Sequence, residues 1–207
     1  MPLLDDQGEI DAYYLADSTQ PRAAAILWPI IVEHRIDSLF ELALRPDKKV
    51  HEELFQPSGA LGNYAVKVRL AYMLGWIAPD DFADLITISK IRNRFAHFVE
   101  VKDFSDQKIA DWLSNLQGSK LLPQMIKQAK EEASGEKIDP AAPSTGQVSK
   151  RGKLFILEGI AAEPQGRFRW CIDCMIHQLD KYAGNMKRNL ESLPGSWLVG
   201  DSKLTSH

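Results

Sequence analysis

Residues 59–99 of the chain read GALGNYAVKVRLAYMLGWIAPDDFADLITISKIRNRFAHFV, and this stretch decides the fold. Tyr64, Val68, Ala71, Tyr72 and Gly75 fall on one face at helical spacing. After the break at Pro79, Asp80 or Asp81 is placed to cap a second helix that runs through His97. At roughly 100° per residue, its Leu85, Ile88, Ile91, Phe95, Phe98 and Val99 lie within an arc of about 140°. The stretch therefore predicts a helical hairpin at the centre of the protein.

Arg92 points into that apolar arc. A guanidinium there keeps its charge and must find carboxylates, carbonyls or an opening. Glu33 and Asp37, one turn apart on the preceding long helix, are the predicted partners, with Asp84 and Glu41 behind them. Asn93 and His97, four residues apart, stack on the flank beside Arg92. This trio has two readings. In one, it ties helices together. In the other, Arg92 meets charge developing on a phosphorus, His97 moves the proton of a ribose hydroxyl and Asn93 orients both, as in a metal-independent ribonuclease.

Outward from the hairpin, residues 21–44 carry apolar residues at three and four spacing and stop before Arg45-Pro46, with Pro29 expected to kink the helix or mark a late start. KKVHEELFQ precedes the turn cluster Pro57-Ser58-Gly59. Downstream, Ser105 is placed to cap SDQKIADWLSNL, closed by Gly118, and LLPQMIKQAKEEA adds a further helix. Residues 134–152 lack apolar rhythm and read as a mobile connection. KLFILEGIA suits a strand or a buried helical turn, with helix favoured, and the segment RFRWCIDCMIHQLDKYAGNMKRNLESL closes the fold. The expectation is all-α: an antiparallel helical bundle in one domain over 21–193, with a flexible insert at about 134–152, a mobile acidic segment 1–20 and a tail 194–207.

Composition narrows the function classes. The 207 residues are 44% hydrophobic and 26% charged, which suits one folded core. Lys and Arg number 25 against 28 Asp and Glu, so no global field holds a polyanion. No apolar run approaches the length of a membrane span, and residues 1–20 lack a cationic start followed by an apolar stretch. Cysteines at 171 and 174 alone cannot staple such a chain, which suits a reducing cytoplasm.

The order of a glycine turn (Gly59 to Tyr64), a helix bearing Lys67, an ending Leu70-Ala71-Tyr72-Met73-Leu74-Gly75 and then Ile91 to His97 resembles the mannitol operon repressor family. That resemblance implies an all-helical transcriptional regulator without an evident helix-turn-helix, acting through a protein partner and not by direct DNA readout. No predicted helix here is rich in Arg, Lys, Asn and Gln as a recognition helix would be. Lys67 joins Glu33, Asp37 and Asp84 as candidate binding or supporting residues. The shorter element Arg92-Asn93-x-x-x-His97 is similar to the signature of HEPN domains, helical bundles found in toxin and defence ribonucleases, where two copies face each other across one cleft. Under that resemblance Arg92, Asn93 and His97 are catalytic, RNA is the substrate and the protein is a homodimer or higher homo-oligomer.

Other motifs carry less. Cys171 and Cys174 form a C-x-x-C without the strand-helix setting of a redox site, and His177 adds only a third ligand toward zinc. No metal and no cofactor are expected, since phosphate loops, nucleophile elbows and zinc-protease motifs are missing from the sequence. His34, His51 and His207 are expected at the surface or as caps. The basic residues between Lys120 and Lys153 are interrupted by Glu131, Glu132 and Glu136 and read as a solvated face.

Overall fold

A computed structural model describes residues 20–134 and 149–192. Those residues form an all-α fold of eight helices: α1 (Pro21–Ala43), α2 (Lys48–Phe55), α3 (Tyr64–Met73), α4 (Pro79–His97), α5 (Gln107–Asn115), α6 (Gln117–Ser134), α7 (Lys150–Ala162) and α8 (Pro164–Glu191). No described helix is long and apolar enough to cross a membrane. Residues 1–19 and 193–207 lie outside the described residues, and with them nearly all of the expected segment 1–20, the expected tail 194–207 with Trp197 and His207, and most of the predicted insert. At its edges that insert is helical: α6 reaches Ser134, and α7 starts at Lys150 behind the Ser149 cap.

α1 is the axis. Its Trp28, Ile31, Val32, Ile36, Leu39 and Phe40 are buried, packed chiefly against α8 and α4. Each such side chain contributes about 1.5–3 kcal/mol by leaving water, which is what holds this helix at the centre. Pro29 sits inside α1, which runs unbroken to Ala43. Phe168, Cys171, Ile172, Met175 and Leu179 of α8, spaced as read from the sequence, supply the facing layer. A smaller cluster of Leu122, Ala129 and Leu157 joins α6 to α7.

Several local expectations change for physical reasons. Asp106, not Ser105, caps α5, because Asp106 accepts from the Ile109 amide while Ser105 donates its hydroxyl to Asp103. α4 begins with Pro79 after Ala78, leaving Asp80 and Asp81 in the first turn, where they complement the dipole without capping. Gly118 does not end a helix; it lies in the first turn of α6, where an added Cβ would stand 2.9 Å from the Cys171 Cα. α6 and α8 approach so closely there that the Trp170 indole donates to the Gly118 carbonyl at 3.0 Å. His34 is buried on α1, and His51 is half-buried, stacked on Phe55 at 4.2 Å.

The motif over 59–97 has a distinct physical reason at each step. A Cβ on Gly59 would sit 2.3 Å from the carbonyl oxygens of Glu53 and Leu54, and one on Gly62 would sit 2.2 Å from that of Gln56. Only glycine lets this loop fold back on the end of α2. Asn63 then caps α3 by accepting from the amides of Ala65 and Val66. α3 ends on Gly75 at φ 72, with Trp76 N donating to Ala71 O and Gly75 N to Tyr72 O, the paired bonds of a Schellman stop.

Candidate functional site: a charged cleft between α1, α3 and α4

The loop before α3 and the inner faces of α1, α3 and α4 enclose a cleft of about 520 Å³. Glu33 and Asp37 enter it from α1, Lys67 from α3, and Ser89, Arg92 and Asn93 from α4; Asn63 lines its mouth. The spacing follows from helix geometry: 33 and 37, and 89, 92 and 93, are each one turn apart.

Lys67 is the buried cation. Its side chain is 3% exposed and its Nζ lies 3.0 Å from Glu33 Oε1 and 2.7 Å from Asp37 Oδ1. It also stands 5.5 Å from the centre of the Phe55 ring. Two carboxylates around one ammonium in a low-dielectric setting repel each other unless one takes a proton. Burial accordingly pushes the Asp37 carboxyl up to about 6, against the pull of Lys67, and Glu33 adds to the rise. Beside them the Tyr64 hydroxyl donates to the Leu85 carbonyl at 3.2 Å, and burial raises its pKa.

Arg92 is not the wedged guanidinium the sequence predicts. Its side chain is 34% exposed at the cleft rim, and its contact with Glu33 is an ion pair at 4.0 Å. Lys67, one turn from Tyr64 and Ala71, occupies the interior position and takes the carboxylates assigned to Arg92. Its spacing from those two apolar residues is the signal that could have found it. Glu41 faces His51 at 3.9 Å instead. Asp84 is buried elsewhere and accepts from the Gln117 amide at 2.9 Å, capping α6 from a neighbouring helix. Burial raises its carboxyl to about 6.

Arg92 and Asn93 line the cleft, whereas His97, the last residue of α4, does not. Asn93 and His97 are exposed, as are Phe98 and Val99, which the wheel had placed in the core. The end of α4 is held by two other arginines. Arg94 grips both oxygens of Asp106 at 2.7 and 2.8 Å, and Arg22 donates to the carbonyls of Phe95, Phe98, Val99 and Val101. The first of these pairs keeps the Asp106 carboxyl below its ordinary range.

The cysteines are not poised for redox chemistry: burial pushes the Cys171 thiol up to about 12 and Cys174 up to about 11. No group of three or more metal-ligating side chains occurs among the described residues.

The sequence model of the family described as "Mannitol repressor" matches residues 15–143, more than half of the chain and all of the cleft. The chain belongs to the mannitol repressor family. Among solved structures, a possible transcriptional regulator, YggD, from Shigella flexneri aligns with a TM-score of 0.55 at 18% identity, covering 83% of this chain and 98% of that one. The MtlR–HPr complex from Escherichia coli aligns with a TM-score of 0.51 at 16% identity, covering 86% of this chain and 98% of that one. These likenesses establish a common helical fold. No curated protein matches the chain by sequence. Nothing in the comparisons supports the HEPN resemblance, which rests on the short motif alone.

Proposed function

We propose that this mannitol repressor family member is a transcriptional regulator that acts by binding a protein partner and not by reading DNA bases. Membership of the family carries the reading. The helical neighbour from E. coli was solved with HPr, so HPr is the first partner to test.

The surface is consistent with protein contact. Val66, Leu70 and Met73 of α3 and its C-cap Leu74 share one exposed face, within about 100° of arc, and Met73 is 78% exposed. A contiguous apolar face left in water is the usual mark of a protein-binding surface. By contrast, the net charge of -3 provides no phosphate-binding field.

The experiment is calorimetric titration of the purified full chain with HPr from the same organism, alongside mobility shift on upstream DNA of its operon. Saturable binding of HPr, weakened by Met73→Glu while thermal unfolding is unchanged, supports the reading. Tight, sequence-specific DNA binding by the protein alone at physiological salt would replace it with direct readout.

A further inference from the structure

Three arginines of α1 and α4 are used unequally. Arg94 is held by both oxygens of Asp106, and Arg22 donates to four main-chain carbonyls. Arg92 has no hydrogen bond among the described residues; its one ionic contact lies at 4.0 Å, to a carboxylate whose other oxygen Lys67 already holds at 3.0 Å. A guanidinium carries five N–H donors in a planar fork that matches a carboxylate or phosphate with two parallel bonds. This fork lines an open cleft.

It is not alone there. Ser89 and Asn93 flank Arg92 on the same face of α4, and neither side chain is hydrogen-bonded among the described residues. Asn63, which lines the same cleft, uses its carbonyl oxygen to cap α3, and its amide N–H₂ makes no hydrogen bond among the described residues. The charges of Lys67 and Arg92 balance those of Glu33 and Asp37, so no net negative charge of this group repels an anion. Ile30, Phe55 and Pro57 add apolar surface to the same lining. At about 520 Å³ the cleft falls in the size range of small-molecule sites and exceeds what a bare phosphate needs.

We propose that the cleft binds a small organic anion. Its phosphate or carboxylate sits on Arg92 with Ser89, Asn93 and Asn63 as further donors, and its compact ring or alkyl body lies against Ile30, Phe55 and Pro57. This assignment does not depend on which protein partner is bound.

The test is calorimetric titration of the full chain with phenyl phosphate, benzoate and inorganic phosphate at low salt and about pH 7. Saturable 1:1 binding of phenyl phosphate or benzoate is expected, and whichever binds tighter identifies the headgroup. Inorganic phosphate, lacking the body, binds more weakly. Arg92→Gln should weaken binding by about 10-fold or more, Arg92→Lys should recover part of it, and both should unfold at the wild-type temperature. Asn93→Asp, at an exposed position, places a like charge beside the headgroup and should weaken binding similarly. Failure of both organic anions to saturate by about 10 mM overturns the proposal. So does binding that neither Arg92→Gln nor Asn93→Asp weakens.

Discussion

Replacing Lys67 with Met keeps most of the length of the side chain and removes its charge. The structure allows the consequence to be worked out. Glu33 and Asp37 are 8% and 4% exposed, and the ammonium is within 3.0 Å of the first and 2.7 Å of the second. Removing one partner of a buried ion pair leaves an uncompensated charge and costs about 3–5 kcal/mol near pH 7. Acid should relieve part of this. In the wild type Asp37 has its folded pKa raised to about 6, above its value in the unfolded chain. The folded state therefore holds a proton that the unfolded state has lost, and that stabilising contribution is full below about pH 4 and disappears as pH rises through about 6. Without the pull of Lys67 the folded pKa rises further. From pH 7 to pH 5 the wild type gains about 1.4 kcal/mol from this group and the variant gains more, toward a ceiling of about 2.7, so the gap narrows by up to about 1 kcal/mol. Urea unfolding followed by helical circular dichroism at the two pH values measures both quantities. Combining Lys67→Met with Glu33→Gln and Asp37→Asn removes the stranded charges and should restore most of the loss. A penalty under about 1 kcal/mol at pH 7, or a gap that widens in acid, would refute the reasoning.

Gly59→Ala and Gly62→Ala each force a Cβ to about 2.2–2.3 Å from main-chain oxygens, so each should lower unfolding stability by about 2 kcal/mol or more, read by chemical denaturation. Asp84→Asn keeps an acceptor for the Gln117 amide and should change stability little near pH 7, whereas Asp84→Ala uncaps α6 and should cost about 1–2 kcal/mol. RNA incubated with the full chain in EDTA should stay intact on a denaturing gel; cleavage that disappears in His97→Ala would put the ribonuclease reading in place of the regulatory one.

Much of the fold was legible because helices announce themselves locally. Periodicity located α1, α3, α4 and α8, and the turn at Pro57-Ser58-Gly59 is marked by its Gly and Pro content. KLFILEGIA, which periodicity left between strand and helix, is part of α7. Cap residues were less legible. A cap is chosen by which side chain reaches an amide within one turn, and at α5 both Ser105 and Asp106 were chemically suited. Gly118 read as a stop for the same reason: its real constraint, the backbone of α8 at Cys171, is 53 residues away in sequence.

The chain's own order of residues determined the all-helical class, the family, the glycine turn and the acidic residues of α1 as partners for a cation. Only the packed structure decided which cation it was. A helical wheel gives direction about a helix's own axis; it does not say how deep a neighbouring helix buries that face. Arg92 and Lys67 both point inwards on their wheels. α3 lies over α1 where Glu33 and Asp37 emerge, so the shorter lysine is enclosed, and Arg92 is left at the rim with its donors facing an open cleft. Desolvation depends on every neighbour at once, and for that reason it belongs to the tertiary structure.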